Sequence, residues 1–284
     1  MRKIFLIISF IIFGISAKAL DITEGFTYSK SFWQNTLSLS QDISYTTNIG
    51  FNFDLTEHDD ISNHIYTFSL PLMVRLENFG LLFRPFIILD NANEASAKGA
   101  KVSWTFGIKY DEIEQTSSHV FLSLGFADQY AYVFKTGLPT QKDNFYQLVY
   151  DGGIVLDYFG AYLFEISGNM FQYLSGISSV EGVAGVLDQQ NLASLDTLAY
   201  VLALPKGSAG LKITWNSQES RSENTLSYRF IDFYEKEMSA WHSLKFSSKI
   251  AVMDNLFINL VYNHLFISSQ KDEDIFKGAI LLRL

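Results

Sequence analysis

Five histidines are the starting point for any catalytic reading of this chain. A general base and a nucleophile on one strand face require His-x-Ser, because side chains two apart point the same way. An acid that orients a histidine on the same face requires Asp-x-His. The residues two after His58, His64, His119, His242 and His264 are Asp60, Tyr66, Phe121, Leu244 and Phe266. Those two before are Thr56, Ser62, Ser117, Ala240 and Tyr262. Neither pair occurs. His242 and Ser243 are adjacent, so on a strand they face opposite sides. Asp151 and Asp157 share a parity, but six residues of strand span about 20 Å, too far for paired carboxylates to act as acid and base. His58, Asp59, Asp60 and His64 are metal-ligand types, yet in a loop such residues are ordinarily solvated. The chain has no cysteine, which rules out disulfides, thiolate zinc sites and a lipidated N-terminal cysteine. Neither a phosphate-cradling glycine loop nor a basic aromatic stripe for nucleic acid is present. The sequence therefore reads as a non-enzyme with no cofactor and no metal.

The cations offer a different chemistry. Arg75, Arg84, Lys101, Lys109, Lys135, Lys212, Arg229, Lys245, Lys249, Lys277 and Arg283 all stand on the polar parity of alternating segments. The acids Asp42, Asp54, Asp90, Asp151, Asp157 and Glu165 share that parity. Most other acids cluster between segments, as in Asp111, Glu112 and Glu114. A chain of net charge −9 thus keeps cations on one face of its strands. Enclosed in a low-dielectric tube, such a set favours anions by several kT. The competing expectation is that these charges pair with one another and fill the tube.

Whether a tube exists depends on the elements. From Thr36 to Leu55 the odd positions are nearly all apolar and the even ones all polar. Strict period-two alternation is a strand between two solvents, and about 10 residues or more of it matches a tilted bilayer crossing. The same pattern recurs at 65–76, 81–90, 101–110, 119–134, 145–157, 160–169, 209–216, 224–233, 241–251, 256–267 and 275–284. That predicts about 12 strands, within roughly 10–14. The opening segment is longer than one crossing, so it either projects or hides a hairpin near Thr46-Thr47-Asn48. Connections at 77–80, 111–118, 157–160, 217–223 and 252–255 are short. Those at 56–64, 91–100, 135–144 and 170–208 are longer, and the two sets alternate as far as 217–223; 234–240 and 268–274 are comparable with the short set. Trp104, Tyr110, Tyr130, Tyr158, Trp215, Trp241 and Tyr262 suit interfacial aromatic girdles. The segment 170–208 breaks the pattern: Ser178 to Glu181 fits a capping box, leucines follow at helical spacing, and Pro205 with Gly207 supplies a stop. A helical outer loop is expected there, either a lid or plug in the tube or a cap outside it.

The N-terminus, with Arg2 and Lys3, the apolar run Ile4 to Ile15 and Ala17-Lys18-Ala19, predicts a cleaved signal peptide over 1–19 and a single domain over 20–284. The last strand, "KGAILLRL", resembles the C-terminal assembly signal of Gram-negative outer-membrane β-barrels, the porin-like superfamily. Lys277 takes the polar place, and Leu282 and Leu284 the hydrophobic ones. Ala279 stands where glycine is usual, and Leu284 where an aromatic is usual. The resemblance implies an all-β, closed antiparallel transmembrane barrel in the outer membrane. It implies two partners, outer-membrane lipid and the assembly machinery that reads the last strand. The function then expected is a passive channel for small polar or anionic solutes. The alternatives are an adhesin or structural barrel without a pore, and an outer-membrane hydrolase.

Overall fold

The computed structural model describes residues 20–284 apart from 31, 59–62, 91–94, 109–117, 136–140, 159, 175–179, 185–204, 218–220, 235–239 and 268–271. Among the described residues every regular element is a strand. They are β1 (Leu20–Tyr28), β2 (Phe32–Asp42), β3 (Thr47–His58), β4 (Asn63–Ser69), β5 (Leu72–Leu76), β6 (Phe79–Asp90), β7 (Ala95–Gly107) and β8 (His119–Lys135). There follow β9 (Gln141–Tyr158), β10 (Tyr162–Tyr173), β11 (Val180–Ala184), β12 (Pro205–Ser217), β13 (Ser222–Phe233), β14 (Trp241–Met253), β15 (Leu256–Ile267) and β16 (Glu273–Arg283).

Around the ring adjacent strands pair antiparallel, and β1 pairs with β16, so the sheet closes on itself. At the seam Leu284 donates its N–H to the carbonyl of Leu20 at 2.9 Å, and Leu20 returns one at 3.2 Å. The pieces β4 and β5 form one strand interrupted at Leu70-Pro71. Ser69 opposite Asn52 and Leu72 opposite Ile49 keep a single register on β3. Proline has no N–H for the ladder, but its carbonyl still accepts from Gly50 at 2.7 Å. β11 pairs only with the far end of β8, outside the ring. The ring therefore has 14 strands rather than the 12 expected.

Two elements account for the difference. The opening segment is a hairpin, with β2 and β3 joined through residues 43–46, where Ile43 and Ser44 both donate to the carbonyl of Thr47. The other is β1, whose outward parity reads Leu20, Ile22, Glu24, Phe26 and Tyr28, so that one carboxylate interrupts the apolar row. The span read as a helical loop also contracts. β10 runs to Tyr173, Val180–Ala184 is strand, and β12 begins at Pro205; the leucines at helical spacing lie outside the described residues. The other long loops shrink likewise, because the strands run on past the bilayer pattern to 59–62, 91–94 and 136–140.

The two ends of the ring differ. One carries the turns at 43–46, 77–78, 159–161 and 254–255, together with the connection 108–118; the other carries the long segment between β10 and β12. We refer to them as the turn end and the loop end. The outer surface between them is a belt of exposed apolar side chains such as Leu122, Leu124, Phe126, Phe164, Ile166, Leu211, Phe246, Leu260 and Ile280. That is the surface hydrocarbon requires. Trp104, Tyr130, Tyr158, Trp215 and Tyr262 share its outward parity.

The inner face changes character along its length. Toward the loop end, inward positions hold Phe32, Ile65, Phe86, Ile88, Phe171, Ile231, Phe233, Trp241, Leu265, Ile267 and Ile275, which form one contiguous apolar cluster. Trp241, expected in an outer girdle, points inward and is 4% exposed. It packs edge-on to Phe233 at 5.3 Å. Glycines let aromatic rings lie against the inner wall. A Cβ on Gly99 would sit 2.0 Å from the Phe126 carbonyl oxygen and 2.8 Å from the Phe86 ring.

Because one of those neighbours is backbone, Gly99→Ala cannot be absorbed by a side-chain shift. It is expected to destabilise the barrel by about 3 kcal/mol, the upper end of ordinary overpacking costs. The measurement is the fraction of folded, fast-migrating barrel on unheated SDS gels across a urea series, where equal midpoints for the variant and the parent would contradict this.

Candidate functional site

Toward the turn end the inward parity is polar. It encloses a cavity of about 330 Å³ lined from β7 to β14, with Ser103, Thr105, His119, Ser123, Asp151, Glu165, Ser167, Lys212, Ser227, Arg229, Ser243 and Lys245 on its walls. Register explains the assembly. Asp151 on β9 faces Ser123 on β8, and Glu165 on β10 faces Lys212 on β12. Gly210 on β12 faces Arg229 on β13, which in turn faces Ser243 on β14. Period-two alternation, repeated over adjacent strands, carries these side chains into one space.

The charges fall into two kinds. Some are paired. Lys101 Nζ meets Asp151 Oδ2 at 3.0 Å, with the two side chains only 5% and 3% exposed. Lys212 pairs with Glu165 across the β10–β12 ladder. Near the turn end Arg283 grips Asp21 with Nε at 3.0 Å and an Nη at 3.2 Å. Buried ions need such partners, since desolvation costs several kcal/mol each.

Arg229 is different. Its guanidinium donates to two hydroxyls, Ser208 Oγ at 3.0 Å and Ser167 Oγ at 3.2 Å. Among the described residues no carboxylate lies within ion-pair distance of it. The group rests against Gly210, where a Cβ would come within 3.3 Å of Nε and 3.4 Å of Cζ. Two strands thus fix the fork and a third position leaves room for it.

The remaining cations of the polar parity are dispersed. Arg84 faces Lys101 in register and adds to the positive potential beside the buried pair. Arg75 sits toward the turn end with Nε 2.8 Å from Met73 Sδ. Lys249 lies over the Phe257 ring at 5.0 Å. Lys277 faces Thr27 and Val261. Lys245 faces Ser227 and Asn263. Lys109 lies outside the described residues, as does the side chain of Lys135, whose backbone pairs with Val180. Asp21, which holds Arg283, escaped the sequence reading because β1 itself did. The expected opposition of His242 and Ser243 holds: His242 Nδ1 meets Tyr228 Oη at 2.6 Å on the outer face, whereas Ser243 Oγ donates to Asn263 Oδ1 at 2.7 Å inside. His64 lies 3.6 Å from Glu57, and Asp59 and Asp60 lie outside the described residues.

No family model and no curated protein matches the sequence. Among solved structures, the chain is similar to the CymD monoaromatic hydrocarbon channel, with a TM-score of 0.53 and 8% identity over 93% of this chain and 87% of that one. It is similar to OprB of Pseudomonas putida, with a TM-score of 0.50 and 5% identity over 94% and 93%. A third likeness, to CdiB from Acinetobacter baumannii (TM-score 0.49, 8% identity), covers 94% of this chain but only 60% of that one. At these identities the likeness is one of fold: the chain shares a closed antiparallel β-barrel with these structures.

Removing one partner of the Lys101–Asp151 pair should be worse than removing both. Lys101→Met is expected to cost roughly 3–5 kcal/mol, because it takes the lysine away from a buried carboxylate. Lys101→Met combined with Asp151→Leu should recover most of that loss. Urea midpoints of vesicle-inserted barrel, read by far-ultraviolet dichroism, test the order. A double variant less stable than the single would show that the pair is not a closed unit.

Proposed function

We propose that this protein is exported, inserts in the outer membrane, and passes small polar or anionic solutes through its interior. The observation that carries the reading is the polar cavity inside a sealed ring, with Arg229, Lys212 and Lys245 on its wall. Several positive groups in one low-dielectric enclosure raise the local concentration of anions. The pairing of Lys101 with Asp151 and of Lys212 with Glu165 reduces that field without abolishing it, since among the described residues Arg229 has neutral hydroxyl partners. The apolar cluster at the loop end supports a barrel whose passage is restricted rather than a wide pore. A hydrated ion that meets dry side chains must shed water there, so apolar constrictions gate by excluding water. An adhesin would not require a charged interior cavity. A hydrolase would require a base and a nucleophile in contact, and His119 is the one histidine on the cavity wall among the described residues.

In planar bilayers the purified barrel should show small, salt-dependent conductance with a reversal potential favouring anions. Arg229→Glu combined with Lys245→Glu should invert that preference, a swing in local anion concentration on the order of tenfold. Phe233→Ala with Trp241→Ala should raise conductance by opening the dry layer. A barrel that neither conducts nor lets liposomes swell in any test solute would end the passage reading.

A further inference from the structure

Ascending the inward face of β13, the side chains read Ser227, Arg229, Ile231 and Phe233; on β14 they read Lys245, Ser243 and Trp241. A cationic layer gives way to an apolar one within two inward positions. We infer that this junction is a seat for an amphipathic monocarboxylate, with its head on Arg229 and an aliphatic or single-ring tail directed into the layer of Ile231, Phe233 and Trp241. The inference rests on the passage reading and names its solute class.

The head group follows from the fork. A planar guanidinium whose two terminal nitrogens donate to Ser208 and Ser167, and which rests against Gly210, is oriented before any ligand arrives. Carboxylate matches that geometry with two parallel hydrogen bonds, whereas chloride meets only the charge. The other inner cations described above with measured partners, Lys101, Lys212 and Arg283, already have a carboxylate. Arg229 has two hydroxyls instead, so among the described residues its N–H groups leave room for a carboxylate from outside.

The tail follows from the neighbouring layer. Ile231, Phe233 and Trp241 are at most 5% exposed. An alkyl chain entering among them breaks no hydrogen bonds there. A solute with a charged group at its far end would have to bury that charge where the Trp241 indole N–H is the one unpartnered donor among the described residues of the layer. Each added methylene in such an environment strengthens binding by about fourfold.

Trp241 makes the test direct. It is the inward tryptophan of the four, so Trp33→Phe, Trp104→Phe and Trp215→Phe together leave one reporter inside the seat. The full barrel in detergent is titrated with acetate, butanoate, hexanoate, octanoate and 1-octanol while Trp241 emission is followed. Affinity is expected to climb steeply from acetate to octanoate. Arg229→Gln should weaken octanoate at least tenfold and leave 1-octanol unchanged. Gly210→Val, which pushes the fork aside while keeping its charge, should act in the same direction, and it serves if Arg229→Gln fails to give the folded, fast-migrating form. Equal affinity for acetate and octanoate overturns the inference, as does an unchanged octanoate affinity in both folded variants, or equal losses for octanoate and octanol. Potassium chloride conductance of the same preparation separates the two readings. Conductance without octanoate binding removes the seat and leaves the passage; octanoate binding without any conductance or flux removes the passage and leaves the seat.

Discussion

The pairing of the first strand with the last is the constraint on which everything else depends. Until β1 meets β16, the sheet has two edges and each face is open to the same solvent. Once Leu20 and Leu284 exchange hydrogen bonds, every side chain in the ring is assigned to one of two environments by parity alone. In hydrocarbon no strand edge is tolerable, because unpaired N–H and C=O groups have no water to turn to. Closure therefore satisfies the backbone and separates the side chains in one step. It also explains why a chain without disulfides holds its shape: the ladder leaves no strand of the ring with a single neighbour.

Closure makes the interior a second core, and this core is divided. Its loop-end half obeys the rules of a soluble protein, with phenylalanine and isoleucine side chains packed together. Its turn-end half obeys the rules of an active-site cleft, with ions held by specific partners around a cavity. The division follows the strands themselves. On β6 the inward residues pass from Ile88 and Phe86 to Arg84; on β13 they pass from Phe233 and Ile231 to Arg229. Both changes occur at comparable distances from the loop end. Some polar groups inside the dry half are satisfied locally: Gln129 bonds Gln147, and Tyr173 donates to the Pro205 carbonyl at 3.0 Å.

Much of this was legible in alternation, because a lipid-facing strand must show one apolar parity and the other face is free to be polar. The residues from Thr36 to Leu55 and from Ser222 to Phe233 carry that signal plainly. β1 hid itself because Glu24 occupies an outward place between Ile22 and Phe26, opposite Leu37 and Ile280. The apolar inner layer was illegible for a deeper reason. Where both faces of a strand are apolar, as at Phe86 to Leu89, period two disappears, and the segment reads as a poor strand rather than as one buried on both sides. Trp241 shows the same limit: an aromatic at a strand end has equal claim to an outer girdle and to an inner core until the register is known. Partnering was also out of reach. Nothing in the spacing of Lys101, Lys212 and Arg229 says that the first reaches a carboxylate two strands away, the second faces one across the ladder and the third faces glycine.

That last difference decides what each cation can do. A lysine sealed against Asp151 at 3.0 Å has spent its field on its partner, and to a solute the pair is nearly neutral. A guanidinium held by hydroxyls keeps its charge available, because serine satisfies its N–H groups without cancelling them. Exposure sharpens the contrast. Lys101 and Asp151 lie almost wholly out of water, although Asp151 borders the cavity, whereas Arg229 is half-buried on the same cavity, which is large enough to hold water or a ligand. An unpaired cation is tolerable only where solvent or solute can reach it. The tolerable place and the useful place coincide at the edge of the cavity, one step below the dry layer, and the physical asymmetry of this interior is concentrated there.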